Sequence, residues 1–248
     1  MPSQFTTVII SDSRGRGLED YLGSHPLPED QQFAVLVKPG KSLSQLCPII
    51  INTIDSYDNN QVYCIVYAGI CGLTDRTTDK TISKKASVLR YQDTYRGDKI
   101  ECNIDSAKFL KNRYGDRINF CTIIPADLIA YFRQHNPGHP VPDYLNTEQK
   151  ALEEDVLAIN KALLDLNSSI ITNINLCSRA QVKSKKKRQR SGQKVVYRRV
   201  IKFSYKELID GVHFTQKLRD IIFGLIIHTA LRDTTTILRS RDNPQPSD

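Results

Sequence analysis

The sequence predicts an α/β fold: a doubly wound, mostly parallel five-stranded sheet with helices on both faces. Short apolar runs rich in β-branched residues recur along the 248-residue chain, and amphipathic or polar segments separate them. One of these runs, residues 61–68 (QVYCIVYA), is apolar on both of its alternating faces, as a strand inside a parallel sheet requires. Strands that alternate with helices favour parallel pairing through right-handed crossovers.

Five segments are predicted as strands, and turn-forming residues close most of them. The predicted strands are residues 5–10, 32–37, 61–68, 118–124 and 169–174. The first ends in SDSRGRG, the second ends at Lys38-Pro39-Gly40-Lys41, and the fourth ends at Pro125. Glycine and proline at these positions interrupt a strand, so each run is a separate element.

The helices are predicted from apolar residues that recur at helical spacing. Ser42 is the predicted N-cap of one helix. Its apolar face consists of Leu43, Leu46, Ile50 and Ile54. The clearest helix has an apolar face of Leu152, Val156, Ile159, Leu163 and Leu166. Two more helices are predicted over residues 104–114 and 215–231, followed by a flexible tail over residues 232–248.

The cysteine usage and the N-terminus predict the compartment. Six cysteines are scattered without a CxxC pattern, mostly inside apolar runs, which favours free thiols in a reducing environment. The N-terminus lacks a basic region followed by a long apolar stretch, so no signal peptide is predicted. Apolar runs are shorter than a membrane span, and no transmembrane segment is predicted. We expect a soluble intracellular protein, cytoplasmic or nuclear.

The positive charge is concentrated in one segment. The formal net charge is +8, and residues 179–202 contain eleven Lys or Arg and no acid; without those eleven charges the remaining chain carries −3. We predict one domain over residues 1–231 with a basic insertion at about 177–203. Residues 195–203 alternate enough to form a strand, so the insertion is expected to be a hairpin.

Such a basic cluster is typical of a phosphate-binding patch or a nuclear localisation signal. RNA or DNA is therefore a candidate partner for residues 179–202. The predicted contacts are Lys183, Lys185, Lys186, Lys187, Arg188, Arg190, Lys194, Arg198 and Arg199. Two alternatives stay open, a solvated insertion without a partner and an anionic membrane surface, although no amphipathic helix accompanies the cluster.

Four short blocks place chemically active residues after the strands and near the end of the chain. They are Ser11-Asp12-Ser13-Arg14, Gly40, Gly69-Ile70-Cys71-Gly72 and Asp210-Gly211-Val212-His213. The first three follow the first three predicted strands, and the fourth is expected to open the last helix. In doubly wound sheets, ligands bind at the carboxyl ends of the strands, where the first three blocks fall.

This series resembles the SGNH hydrolases, also called GDSL-type hydrolases. That family has Gly-Asp-Ser after the first strand, glycine after the second, Gly-x-Asn-Asp after the third, and Asp-x-x-His near the C-terminus. All four blocks have counterparts here in the same order, from Ser13 to His213. The resemblance implies a three-layer, flavodoxin-like sandwich and a serine esterase or acyl hydrolase that needs no cofactor.

The resemblance assigns a role to each matching residue. Ser13 is the expected nucleophile, since a serine hydroxyl reacts once a neighbouring base removes its proton. His213 is the expected base, and Asp210 would fix its tautomer and stabilise the imidazolium. The expected oxyanion donors are the Ser13 N–H and the Gly40 N–H, with Cys71 at the third position.

Three residues depart from the family pattern. Ser11 replaces the first glycine, which is tolerable where the backbone φ is negative. Cys71 replaces the asparagine, and a thiol is a weak hydrogen-bond donor. Gly72 replaces the following aspartate. Since loss of one oxyanion donor costs about 10²- to 10³-fold in rate, the sequence predicts a triad beside a degraded oxyanion hole.

Two functions from different classes therefore stay open. The first is a serine hydrolase for a small ester or acyl substrate. The second is a weak or inactive SGNH-like module that binds RNA or DNA through the basic loop. SGNH-like domains that bind RNA without esterase activity are known, and SGNH-like esterase domains occur in some mobile-element proteins. The other histidines form no metal-ligand pattern, so no metal is predicted, and the oligomeric state and substrate identity are left open.

Overall fold

A computed structural model describes residues 5–29, 31–57, 61–91, 96–167, 171–183, 187–191, 194–198 and 201–242. The strands in these ranges are β1 (Phe5–Ser11), β2 (Gln31–Val37), β3 (Val62–Tyr67), β4 (Asp75–Thr78), β5 (Ser87–Arg90), β6 (Ile118–Phe120), β7 (Gln181–Lys183), β8 (Lys187–Ser191), β9 (Lys194–Arg198) and β10 (Ile201–Phe203). The α-helices are α1 (Leu18–Gly23), α2 (Leu43–Asp55), α3 (Arg96–Tyr114), α4 (Leu128–His135), α5 (Tyr144–Leu166) and α6 (Gln216–Asp242).

The central sheet is parallel, with strand order β2-β1-β3-β6. This confirms the predicted α/β class and four of the five predicted strands. The fifth predicted strand is reduced to one parallel bridge between Cys121 and Ile174, beside β6. The chain leaves β1 toward β2 on one side and returns to β3 on the other. The switch point of the sheet therefore lies between β1 and β3, where a ligand site is expected.

Both faces of the sheet are buried, because successive side chains of a strand point to opposite sides. On β1, Val8 and Ile10 belong to the core on one face, whereas Ile9 belongs to the core on the other. The first core is completed by residues of α2, α3, α4 and α5. The second is completed by residues of α1 and α6. The predicted three layers are thus present.

Helix α2 begins where the sequence predicts. The Ser42 hydroxyl accepts a hydrogen bond from the Gln45 N–H, and the Gln45 side chain accepts one from the Ser42 N–H. This reciprocal capping box satisfies two N–H groups that the first helical turn leaves without partners. Leu46 and Ile50 on its inner face are fully buried, as predicted.

Helix α6 extends beyond its predicted end at residue 231, so the prediction of a tail from residue 232 is wrong for residues 232–242. The polar run after Leu231 suggests a tail, but its side chains have partners. Buried Asp233 accepts hydrogen bonds from the Tyr63 hydroxyl (2.7 Å) and the Thr172 hydroxyl (2.7 Å). These bonds compensate the burial of the carboxylate and fix the helix to the sheet. Residues 243–248 lie outside the described residues.

The stretch Gln216–Leu238 of α6 is long and apolar enough, by length and composition, to cross a membrane. Half of its most apolar window is buried inside the protein. Ile222, Ile226 and Ala230 on this buried side have no exposed surface and pack in the core of the second sheet face. Packing on the sheet accounts for these apolar residues on the buried side of α6.

The region between β3 and α3, for which the sequence predicts no strand, contains an antiparallel hairpin of β4 and β5. The polar sequence gives no signal for this hairpin, because the residues that stabilise it come from the distant helix α5. Arg90 forms an ion pair with Glu148 of α5, and the Tyr144 hydroxyl donates a hydrogen bond of 2.6 Å to Asp79. Helix α3 also starts at Arg96, earlier than predicted.

The basic insertion forms two antiparallel pairs, β7 with β10 and β8 with β9. The predicted hairpin is therefore present in the backbone. Of the predicted nucleic-acid contacts, Lys185, Lys186 and Arg199 lie outside the described residues. All six cysteines are free thiols, as the sequence predicts. The intracellular location stays a prediction.

Candidate active site

A cleft of about 520 Å³ opens at the carboxyl ends of β1 and β3, at the switch point of the sheet. All five residues predicted for the catalytic site line it: Ser13, Gly40, Cys71, Asp210 and His213. The other lining residues are Arg16, Pro39, Ile70, Thr74, Asp75, Arg76, Leu89, Tyr131 and Val212. Segments up to 200 residues apart in the chain thus meet in one cleft.

Ser13 begins a short 3-10 turn, Ser13–Gly15, directly after β1. Asp12 caps this turn, because its carboxylate accepts a hydrogen bond of 3.0 Å from the Arg14 N–H. Ser11 is fully buried and its hydroxyl donates to the Tyr67 carbonyl at 2.7 Å. Since no described non-glycine residue has a positive φ, the serine in place of the family's glycine is accommodated without strain.

Asp210 and His213 lie in a tight turn. The Nδ1 atom of His213 lies 2.7 Å from Oδ2 of Asp210. The other carboxylate oxygen, Oδ1, accepts hydrogen bonds from the N–H groups of Val212 (3.0 Å) and His213 (2.7 Å). Three contacts therefore fix the carboxylate against the imidazole.

The prediction that this block opens the last helix is wrong, because α6 begins only at Gln216. The block forms the tip of a hairpin-like loop in which the Ile209 N–H donates to the His213 carbonyl at 2.7 Å. Gly211 has a φ of +77°, and a Cβ there would lie 2.3 Å from the Asp127 carbonyl oxygen. Only glycine fits this close approach.

The environment of Asp210 keeps its carboxylate charged. Burial acts to raise its pKa, but the backbone and side-chain N–H groups of His213 and the N–H of Val212 together hold the pKa below the usual value. A charged Asp210 accepts the proton of Nδ1. The remaining nitrogen, Nε2, is then the basic atom of the imidazole.

Ser13 and His213 line the same cleft, but their side chains are not hydrogen-bonded to each other in the described structure. Such contacts are frequently long in a protein without substrate and shorten when substrate binds.

Arg14 is a site residue that the sequence analysis missed. Its guanidinium is buried, donates to the carbonyl of Val212 at 3.1 Å and to that of Ile124, and lies 5.0 Å from the ring centre of Phe214. It therefore ties the turn that bears Ser13 to the loop that bears His213. An arginine in a polar turn ordinarily extends into water, so the sequence gives no signal for this role.

The predicted oxyanion position Cys71 carries a partly buried thiol that is influenced by two neighbours. The Asp12 carboxylate raises the pKa of this thiol, whereas the Gly40 N–H lowers it. Burial, reinforced by Asp12, raises the pKa of the Cys71 thiol to about 11, so the thiol is protonated at neutral pH. No described residue accepts a hydrogen bond from the Ser13 N–H, which leaves that donor available.

Asp12 lies under the floor of this cleft and is almost fully buried. Burial raises the pKa of its carboxyl, while the Arg14 guanidinium and the N–H groups of Arg14 and Gly69 act in the opposite direction. Asp12 thus contacts both sides of the site: it caps the Ser13 turn and it interacts with Cys71.

Within the described ranges, no group of three or more His, Cys, Asp or Glu side chains is placed to hold a metal ion. The described residues that line the cleft include a serine hydroxyl and an imidazole.

No protein-family model matches the chain, and no curated protein matches its sequence. Solved structures that resemble it include esterases and a lipase/acylhydrolase. An acetyl xylan esterase, AlAXEase, is 9% identical, with 90% of this chain and 98% of that chain covered and a TM-score of 0.51. A lipase/acylhydrolase from Enterococcus faecalis is 14% identical, with 98% and 99% covered and a TM-score of 0.43.

A further similar structure is the esterase EstA from Pseudoalteromonas sp., 10% identical, with 91% of this chain and 96% of that chain covered and a TM-score of 0.45. At such identities the likeness concerns the fold alone, and the acetyl xylan esterase carries it best. The chain therefore has the three-layer α/β fold of a hydrolase-like protein.

Proposed function

We propose that the protein is a serine hydrolase that cleaves an ester or acyl bond in a small substrate. Ser13 is the nucleophile, His213 the general base and Asp210 the residue that orients His213. The single observation that supports this most is the 2.7 Å contact between Asp210 and His213, made in a cleft that Ser13 also lines.

The proposed reaction has two halves. The Ser13 hydroxyl oxygen attacks the acyl carbon while Nε2 of His213 takes its proton, and Asp210 stabilises the resulting imidazolium. The tetrahedral intermediate then collapses, and His213 returns the proton to the leaving alcohol. A water molecule activated by His213 hydrolyses the acyl-serine and restores the enzyme.

The oxyanion side of the site lowers the expected rate. Cys71 lacks the amide N–H that asparagine supplies at this position in the SGNH hydrolases, and a thiol is a weak donor. Removal of one oxyanion donor costs about 10²- to 10³-fold in rate. We therefore expect hydrolysis that is slow but depends on the serine.

Labelling with a fluorophosphonate probe tests the proposal, because the probe reacts with an activated serine. We expect the wild type to be labelled, and Ser13→Ala and His213→Ala to lose the label. Matched controls are the exposed Ser44→Ala and His139→Ala, which should be labelled like the wild type. Labelling that survives Ser13→Ala, or none in the wild type, would overturn the proposal.

A second candidate function is RNA or DNA binding by the basic insertion. It is supported by the segregation of charge, eleven Lys or Arg and no acid within residues 179–202, part of which forms the β8–β9 hairpin. A hydrolase fold combined with a basic segment also resembles the SGNH-like domains of mobile-element proteins.

A gel-shift titration in rising salt tests this second candidate with random single-stranded RNA and duplex DNA. Binding should weaken with a log–log slope of about −0.9 per phosphate contact on the duplex. Changing Lys183, Lys185, Lys186, Lys187, Arg188 and Arg190 to Gln should abolish the shift. The control changes the exposed Lys80, Lys84 and Lys85 to Gln and should leave the shift unchanged. Equal binding by both variants would exclude the insertion as the binding surface.

A further inference from the structure

Two arginines line the cleft without an ion-pair partner among the described residues. They are Arg16 and Arg76, and both are exposed. Some other arginines of the described chain form ion pairs, for example Arg90 with Glu148 and Arg113 with Asp55. A guanidinium that lines a cleft with no carboxylate partner is suited to bind an anionic group of a ligand.

Arg16 lies beside the proposed nucleophile. It follows the 3-10 turn that bears Ser13, and its N–H donates to the Ser13 carbonyl at 3.3 Å. The position of its backbone is therefore fixed relative to Ser13, while its side chain is exposed to solvent at the cleft.

Arg76 comes from a different element, strand β4 of the hairpin that forms part of the cleft. Its guanidinium carbon lies 5.5 Å from the ring centre of Tyr131, and its strand neighbour Leu89 also lines the cleft. The hairpin is itself anchored to α5 through the ion pair of Arg90 with Glu148. Arg76 therefore lies on a hairpin that is held in place by α5.

The two carboxylates that line the cleft do not pair with the two arginines. Asp210 is occupied by His213 and by two backbone N–H groups. Asp75 has an interaction partner of its own, and neither carboxylate forms an ion pair with Arg16 or Arg76 in the described chain. The two guanidinium charges are therefore available to substrate.

We propose that the substrate carries an anionic group, a carboxylate or a phosphate, close to its scissile ester, and that Arg16 and Arg76 bind it. This inference rests on the proposed hydrolase function and defines its substrate class. Both arginines contribute to binding, and neither takes part in the proton transfers assigned to Ser13 and His213.

The experiment compares kcat/KM for matched charged and neutral esters. The first pair, 4-nitrophenyl hydrogen succinate and methyl 4-nitrophenyl succinate, places the charge on the acyl side. The second pair, 4-acetoxybenzoate and its methyl ester, places it on the leaving group. At low salt we expect the wild type to prefer the anionic ester by about five- to tenfold in at least one pair, since an exposed ion pair contributes up to about fivefold.

The preference should fall to about twofold or less at roughly 0.5 M salt, because exposed charges are then screened. It should also vanish in the double variant Arg16→Gln/Arg76→Gln and persist in the control Arg133→Gln, an exposed arginine outside the cleft. Inhibition by succinate and by inorganic phosphate at equal ionic strength identifies which anion the pair of arginines prefers.

Two results would overturn the inference while leaving the hydrolase intact. One is equal kcat/KM within both pairs, and the other is an anionic preference that the double variant retains. A protein that hydrolyses none of the four esters and takes no fluorophosphonate label would instead contradict the proposed function, and the inference would fall with it.

Discussion

The two sides of the cleft differ in what their polar groups contact. On the nucleophile side, Asp210 is directed at His213 by three hydrogen bonds, and Arg14 ties the Ser13 turn to the loop that bears His213. On the oxyanion side, Cys71 offers only a thiol, a weak hydrogen-bond donor, and burial and Asp12 raise the pKa of that thiol. The first side positions its groups by several hydrogen bonds, whereas the second has a weak donor at one of its positions.

This difference indicates which step of the proposed reaction is compromised. Proton transfer from Ser13 to His213 needs only the nucleophile side. Stabilisation of the developing oxyanion needs donors that are free before substrate arrives. We therefore expect an activated serine whose acyl transfer is limited by its oxyanion hole, and the following experiments test that contrast from the largest effect to the smallest.

The largest effect is expected for Asp210→Asn. The amide no longer stabilises the imidazolium and favours the wrong tautomer of His213, so kcat should fall by about 10³- to 10⁴-fold. Esterase kinetics with 4-nitrophenyl acetate measure it. Asp75→Asn, at the other carboxylate of the cleft, is the matched control and should lower kcat by much less. A drop of less than tenfold in Asp210→Asn would remove this carboxylate from the mechanism.

The next effect is a gain of activity in Cys71→Asn. An asparagine supplies the N–H donor that a thiol lacks, so kcat/KM should rise by about 10²- to 10³-fold. Cys71→Ala is the control, because it removes the thiol without adding a donor. If the alanine variant gains as much as the asparagine variant, the missing donor is not the limitation.

The alkylation rate of the Cys71 thiol tests whether this residue is a second nucleophile in the cleft. Burial raises the pKa of this thiol from 9.0 to about 11, so at pH 8 its thiolate fraction is about 100-fold below that of an ordinary thiol. Alkylation of Cys71 by iodoacetamide, followed by mass spectrometry, should be slower than that of glutathione by this factor and increase about tenfold per pH unit. Alkylation as fast as glutathione at pH 8 would indicate an activated thiolate instead.

A smaller effect is expected for Arg14→Gln, which tests Arg14 as a positioning residue. Glutamine cannot span to the carbonyls of Val212 and Ile124, so kcat should fall by about 10- to 100-fold while KM changes little. The melting temperature should fall as well, because buried carbonyls lose their donors. Asp233→Ala, which disrupts a buried network far along the sheet, is the control.

The control separates positioning from general destabilisation. Asp233→Ala should lower the melting temperature and leave kcat unchanged at temperatures where the variant is folded. If Arg14→Gln behaves in the same way, Arg14 has only a structural role.

The sequence predicts the parts of the molecule that depend on local pattern. The four strands of the central sheet, the cap at Ser42 and five of the residues that line the cleft follow from apolar periodicity, turn residues and the order of four blocks. The elements that the sequence does not predict are those stabilised by contacts with residues far away in the chain. The β4–β5 hairpin is stabilised by Glu148 and Tyr144 of a distant helix, and the end of α6 is fixed by Asp233 against Tyr63 and Thr172.

The same reasoning explains why the site was only partly predictable. Ser13, Asp210 and His213 belong to recognisable blocks, whereas the contacts of Arg14 join residues about 200 positions apart. Likewise, no spacing rule shows that burial and Asp12 raise the pKa of the Cys71 thiol. A sequence shows which residue types are present, but the contacts that each side chain makes depend on which residues the fold places beside it.

The most direct test of this difference between the two sides is the rate of fluorophosphonate labelling, with the labelled peptide identified by mass spectrometry. Three proteins are compared: the wild type, Cys71→Asn and Cys71→Asn/Ser13→Ala. We expect slow labelling of Ser13 in the wild type, labelling of Ser13 that is at least about tenfold faster in Cys71→Asn, and no labelling of the double variant. Equal rates in the first two proteins, or a label on any residue other than Ser13, would contradict this expectation.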